Sequence, residues 1–235
     1  MTRGYRRVNT LRSVVTVYLI VLLSLAGLMA VPEAAAVSLA SVRGKVNAPA
    51  GLSLRTGPST RYRVITILPY GTPLTITGTT SDWFRVTAAG KSGYVNSWYV
   101  TLIGTPSVAI SRGNVNRKMI ALTFDCGSDL GNTYRILDIL AEYNIKASFG
   151  LAGSWIKANP DAVRRIVQEG HQVINHTLNH PSYTGYSAGS GPISPAKRLS
   201  QLEANDALLR TVAGATAKPY WRPPFGDYDA GVLRD

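Results

Sequence analysis

Between Val42 and Ile103, apolar residues come in short runs, each cut off by a turn signal. "GLSLRTGPS" (Gly51–Ser59) alternates and then breaks at Gly57-Pro58. "VITIL" (Val64–Leu68) runs into "PYGTP", and "LTITG" (Leu74–Gly78) into "TTSD". "WFRV" (Trp83–Val86) leads to "AAGKSG", and "GYVNSWYV" (Gly93–Val100) closes the series. Strands rich in Val, Ile, Thr, Tyr and Trp, about ten residues apart, predict a small all-β barrel over residues 43–103. About sixty residues bury little surface, so Trp83, Tyr94 and Trp98 are expected to fill much of that core.

"GTPSVAISRGNVNRK" (Gly104–Lys118) is polar, with Gly and Pro near its start, and predicts a linker over 104–117. The pattern changes after it. "MIALTF" (Met119–Phe124) is a continuous apolar run, expected of a strand buried on both faces. "TYRILDILAEYN" (Thr133–Asn144) sets Ile136, Leu137, Leu140 and Tyr143 on one helical stripe. "KASFGLAG" (Lys146–Gly153) is strand-like, and "NPDAVRRIVQEG" (Asn159–Gly170) is a helix that starts at a proline and stops at a glycine. "HQVINH" (His171–His176) returns to strand, "SYTGYSAGSGPIS" (Ser182–Ser194) is a loop, and Pro195–Gly214 is a third helix. "KPYWRPPFG" (Lys218–Gly226) enters another strand and a rigid turn. Strands alternating with helices of ten to twelve residues predict an α/β body with a parallel sheet over 118–235.

The first residues belong to neither body. Arg3, Arg6, Arg7 and Arg12 precede the uncharged stretch Val14–Val31, and "PEAAAVSLA" then supplies small residues. That is the pattern of a secretory signal over residues 1–36, with Ala34 and Ala36 as the cleavage pair, or of an uncleaved anchor. Either one exports the rest of the chain. The 235 residues hold a single cysteine, so no intramolecular disulfide can form and stability must come from packing. Loss of residues 1–36 removes four arginines and Glu33, taking the net charge from +12 to +9. A basic exported protein suits anionic wall polymers or lipid headgroups, and export argues against nucleic acid as a partner.

Three polar groups fall where strands give way to loops, the edge at which parallel α/β folds place their sites. Asp125 ends "ALTF", His176 and His180 bracket "HTLNH", and Arg222 opens "RPPFG". Four residues apart, the two imidazoles share a face if "HTLNH" forms a helical turn, and can then reach one divalent ion. Singly, each has a plainer explanation: two surface histidines, a helix-capping aspartate, an arginine bracing a proline turn. Their recurrence at three successive strand ends favours a site.

"LSLRTGPST", "YGTPLTI", "DWFRV" and "KSGYVNSWYV" resemble the bacterial SH3-like domains, which implies wall targeting by residues 43–103. "ALTFDCGSD", "ASFGLAGSW", "NPDAVRRIVQEGHQVINHTLNH" and "WRPPFGDYD" resemble the NodB-type polysaccharide deacetylases. The fold this second resemblance implies is a distorted (β/α) barrel. It further implies Asp125 as general base, Arg222 pairing with Asp125 to hold it as the carboxylate, and His176 and His180 as ligands of Zn²⁺ or a similar ion. The backbone amide of Phe225 would donate to the developing oxyanion, with Thr177 and His171 in structural roles. The family's usual T-F-D-D-G carries its second aspartate as a metal ligand. Cys126 stands there in this chain, so the third ligand is expected to be Asp129, with Cys126 or neither as alternatives. The family also places a leucine-x-histidine motif downstream, absent before Asp235, so the domain is expected to be truncated at its C-terminal end. The implied activity is removal of acetyl groups from N-acetylated cell-wall glycan, peptidoglycan before others. The alternative is a non-catalytic wall-binding protein with a degenerate deacetylase domain.

Overall fold

A computed structural model describes residues 42–114 and 116–235; the expected signal or anchor over 1–36 lies outside the described residues. Seven antiparallel strands form the N-terminal sheet: β1 (Val42–Val46), β2 (Leu52–Arg55), β3 (Val64–Leu68), β4 (Pro73–Thr80), β5 (Trp83–Ala88), β6 (Lys91–Asn96) and β7 (Val100–Ile103). Their order is β3-β2-β6-β5-β4-β1-β7. Along β4 the alternation expected from the sequence turns Leu74 and Ile76 inward and the threonines outward. Those two pack with Leu54, Leu68, Phe84, Val86 and Val95. The aromatic core expected from the sequence is corrected in part. Trp83 is buried, but Tyr94 is only half-buried and Trp98 is exposed. On β6 the pleat sends Val95 inward and Tyr94 outward, and Trp98 lies in a 3₁₀ turn, Ser97–Tyr99, that splits "GYVNSWYV". Asn96 starts that turn by accepting the Trp98 amide at 3.0 Å.

The second body has three parallel strands, β8 (Thr123–Cys126), β9 (Ser148–Leu151) and β10 (Gln172–Asn175), in the order β10-β9-β8. An isolated parallel bridge from Asn175 to Trp221 extends the sheet. Five helices accompany it: α1 (Thr133–Glu142), α2 (Gly153–Ala158), α3 (Pro160–Gln168), α4 (Pro195–Ala213) and α5 (Ala230–Arg234). This is part of the α/β architecture that alternation predicts. The core gathers Leu137, Phe149, Leu151, Ile156, Val163 and Ile166.

Several expectations change here. The strand expected from Met119 starts only at Thr123, and Met119 and Ile120 are exposed. Among the described residues β8 pairs only with β9, so nothing covers the start of that apolar run. Tyr143 leaves the α1 stripe because it lies past the last turn, as C-cap. The short helix α2 was not expected. "KPYWRPPFG" makes only the Trp221 bridge and a 3₁₀ turn, Pro224–Gly226.

Helix α4 follows its sequence signals, with Ser194 Oγ accepting the Lys197 amide at 3.3 Å, Pro195 in the first turn and Gly214 left-handed at the C-cap. It lacks a single apolar stripe. Arg198, Asn205 and Asp206 are buried together with Ala196 and Leu209, because α4 is packed on more than one side. Asp206 Oδ1 accepts the Ala217 amide and Thr216 Oγ1, both at 2.8 Å, which ties the end of α4 to the chain leading into Trp221.

Candidate active site

The C-terminal ends of β8, β9 and β10 converge on one edge, and the expected site residues divide there into two pairs. Asp125, the penultimate residue of β8, pairs with Gly150 of β9. Its carboxylate reaches across that neighbouring strand to Arg222, whose Nη1 donates to Oδ1 at 2.6 Å. Gly150 makes the reach possible: a Cβ there would collide with Asp125 Oδ1. Arg222 is held by its own backbone, the amide donating to the Asn175 carbonyl at 2.9 Å.

The second pair is His176 and His180, with Nε2 atoms 3.2 Å apart and rings edge-on at a centroid distance of 4.8 Å. They meet by a route other than the helical turn expected from their spacing. Residues 176–180 form a loop in which Thr177 (φ 68°) and His180 (φ 55°) are left-handed. Phe225, whose ring packs edge-on against His180 at 4.8 Å, is left-handed too (φ 60°). Such backbone costs on the order of 1 kcal/mol or more per non-glycine residue and persists where surroundings over-determine it, as in functional sites.

Those surroundings are identifiable. At the start of α2 the amides of Gly153 and Ser154 donate to the carbonyls of Thr177 and Leu178 at 2.9 and 3.0 Å. Asn175 Oδ1 accepts the Thr177 amide at 2.9 Å and Asn205 Nδ2 at 3.0 Å, while Asn175 Nδ2 donates to the Leu202 carbonyl at 2.8 Å. Gln201 Oε1 accepts the Asn179 amide at 2.8 Å, and Thr177 Oγ1 accepts the His180 amide at 3.1 Å. Asn175, Gln201 and Asn205 were missed in the sequence. The one available signal was an asparagine closing an apolar strand directly before His176.

Charge and tautomer suit ligation. His176 Nδ1 lies 3.0 Å from the Arg222 carbonyl, which can only accept, so Nδ1 carries the proton and Nε2 presents a lone pair. Burial, then the neighbouring His176, push the His180 pKa down, with Asp125 opposing, so the ring is neutral as a ligand must be. Two nitrogens on a tetrahedral zinc ion stand about 3.3 Å apart, given bonds of about 2.0–2.1 Å, so the pair fits two corners of such a site. A third protein donor is not gathered with them: among the described residues no group of three or more His, Cys, Asp or Glu side chains could hold a metal.

Asp129, expected as that donor, is exposed and lines a 380 Å³ cavity with Asp125, Gly127 and Phe149, the His180 ring lying beside Gly127. Its carbonyl accepts Trp155 Nε1 at 2.7 Å, which fixes this loop from α2. Cys126 points into the core and is buried, its thiol pushed up to about 12 by burial and then by the charge of Asp125. His171 is structural, Nδ1 accepting the Ala147 amide at 3.2 Å. A second cavity, of 560 Å³, lies on the N-terminal sheet and is lined by Pro49, Arg55, Trp83 and Tyr99 and by none of these residues.

Comparison with known proteins bears on both bodies. The family profile described as polysaccharide deacetylase matches residues 112–235, and that described as bacterial SH3 domain matches 50–101. A peptidoglycan-N-acetylglucosamine deacetylase of Bacillus cereus is 36% identical over 115 residues, covering 49% of this chain and 39% of that protein. A chitooligosaccharide deacetylase of Rhizobium leguminosarum bv. trifolii is 37% identical over 114 residues, 48% of this chain and 49% of that protein. The solved structure of a family 4 carbohydrate esterase from Bacillus anthracis is 33% identical with a TM-score of 0.47, covering 52% of this chain and 56% of that one. The chain thus spans less than half the length of these two curated relatives.

Proposed function

The chain belongs to the polysaccharide deacetylase family, with a bacterial SH3 domain ahead of the matching region, and from that premise we propose that it acts as an exported, metal-dependent deacetylase of N-acetylated cell-wall glycan, with peptidoglycan as the favoured substrate. One observation carries this reading: the Asp125–Arg222 ion pair at 2.6 Å and the His176–His180 pair at 3.2 Å occupy the same edge of one parallel sheet. Amide hydrolysis needs a base for water, stabilisation of the charge developing on the acetyl oxygen, and a proton for the departing amine.

Asp125 is the base, taking a proton from the water that attacks the acetyl carbon. Arg222 holds that carboxylate in place from across β9. His176 and His180 would hold the divalent ion, zinc by the fit of their spacing, which supplies Lewis-acid polarisation and acidifies water. The backbone amide of Phe225 donates to the oxyanion. The C–N bond then breaks as the proton taken up by Asp125 passes to the departing nitrogen, releasing acetate and leaving a free amino sugar. The SH3 domain brings the enzyme to the wall, aided by the basic charge of the chain.

Acetate release from N-acetylglucosamine oligomers and from peptidoglycan, measured with the full-length protein, tests the proposal. A chelator and His176→Ala should each abolish release; activity insensitive to both would overturn it. A second reading, a wall-binding protein without chemistry, is favoured by Cys126 facing the core and by the missing third donor. Binding to peptidoglycan with no acetate released would decide for it.

A further inference from the structure

Helix α4 connects two places that the sequence keeps apart. Its first turns touch the barrel: Ala196, fully buried, belongs to the barrel's own core cluster, and Leu199 packs against that cluster. The contact falls on β4 and the 3₁₀ turn at Ser97–Tyr99. Lys197 Nζ adds an ion pair to Asp82 Oδ1, in the turn before β5, at 3.3 Å. An alanine in the first turn of a helix, beside a long polar loop, is buried here because the barrel covers it. Further along the same helix, Gln201, Leu202 and Asn205 make the hydrogen bonds that hold Asn175 and Asn179, on either side of His176. From Ala196 to Asn205 is about 14 Å at 1.5 Å per residue, so one rigid rod spans the gap. The connecting segment takes a second path to the same point. Ser107 Oγ accepts Trp221 Nε1 at 3.1 Å, and Trp221 is the residue bridged to Asn175.

We propose that the barrel is a built-in brace of the histidine loop: by clamping the N-terminal end of α4 it positions the helix whose side chains hold Asn175 and Asn179, and so sets His176 against His180. That goes beyond wall targeting, because a module joined by a free linker would leave the loop indifferent to its presence. The role of the loop rests on the deacetylase reading; the bracing does not, since it is read out without any activity. The strain in the loop gives the brace its purpose. Two left-handed non-glycine residues relax when their partners loosen, and the Nε2 pair then separates.

Hydrogen exchange on the full chain tests it. Ala196→Glu places a charge in the apolar contact, and Asp82→Lys sets two lysines face to face. The amides of Thr177, Asn179 and His180 should exchange about tenfold faster in Ala196→Glu and two- to threefold faster in Asp82→Lys, while Phe84 and Val95 in the barrel core keep their protection. Restoring the pair with reversed charge, Asp82→Lys with Lys197→Glu, should return the loop to its parent rate, a rescue that general destabilisation would not produce. The imidazole ¹⁵N shifts of His176 and His180 should move and recover with the same variants. Unchanged loop exchange in both single variants overturns the proposal. Should Ala196→Glu not fold, the charge pair decides alone: no acceleration in Asp82→Lys, or none reversed by the swap, overturns it.

Discussion

Cys126 is predicted to be nearly inert towards thiol reagents in the folded protein. Burial and the adjacent Asp125 charge raise its thiol to about 12, whereas an unperturbed cysteine titrates near 8.5. At pH 8 an ordinary thiol is roughly a quarter thiolate, and one at about 12 only about 10⁻⁴ thiolate, so alkylation should slow by about three orders of magnitude. Cys126 is one of the residues lining the 380 Å³ cavity, and burial of its side chain can only slow the reagent further, so the thiolate fraction sets an upper bound on the rate. The assay is iodoacetamide labelling followed by intact mass, native against guanidinium-unfolded, at pH 8 with chelator present. A native rate within tenfold of the unfolded rate would refute the argument and return Cys126 to the candidate ligands or nucleophiles. Cys126→Ala is the companion test. It should cost about 1 kcal/mol as a small cavity and leave acetate release intact, whereas loss of activity at full stability would assign the sulfur a chemical role.

Asn205→Ala removes two buried hydrogen bonds but leaves the Leu151 carbonyl the His176 amide and Asn175 Oδ1 the Thr177 amide, so urea unfolding should show a loss of about 1–3 kcal/mol, with the histidine loop the first region to exchange. Arg222→Gln should separate stability from chemistry. The ion pair is partly exposed and contributes at most about 1 kcal/mol to folding, yet acetate release should fall at least about a hundredfold if Asp125 is the base it positions; equal losses in both would contradict that role. Acid should destabilise the metal-free chain. His171 and His180 have pKa values lowered mainly by burial, so the unfolded state binds protons more readily; their contribution is complete above about pH 6.5 and is lost as pH falls from there through the folded values. Urea midpoints should therefore drop between pH 7.5 and 5.5, less steeply in His180→Gln, and a midpoint that rises on acidification would be inconsistent with buried neutral imidazoles.

Much of this protein was determined by its sequence alone, wherever the information is local and periodic. The period-two runs placed β2–β6 of the N-terminal sheet but not β1 or β7, Pro195 and Gly214 bounded α4, and the ends of three apolar stretches picked out Asp125, His176 and Arg222. Local patterns failed where a partner far along the chain decides. Spacing suggested a helical turn for "HTLNH", but the loop takes left-handed backbone because α2 and α4, one before it in the chain and one after, supply its hydrogen bonds. Alternation alone could not tell that Trp98 would leave the pleat, nor that Met119 and Ile120 would lie uncovered beyond the start of β8. Asp129 was expected as a ligand because it offers a carboxylate three residues after Cys126 in the same loop; among the described residues no third donor is gathered with the two histidines. Tertiary structure also made Gly150 the gap through which Asp125 meets Arg222, and Asn205 the anchor of a strand it joins only after 30 residues. A periodic pattern records which face of an element is apolar. Which polar groups meet across two strands is set by how the elements pack, and no spacing along the chain encodes it.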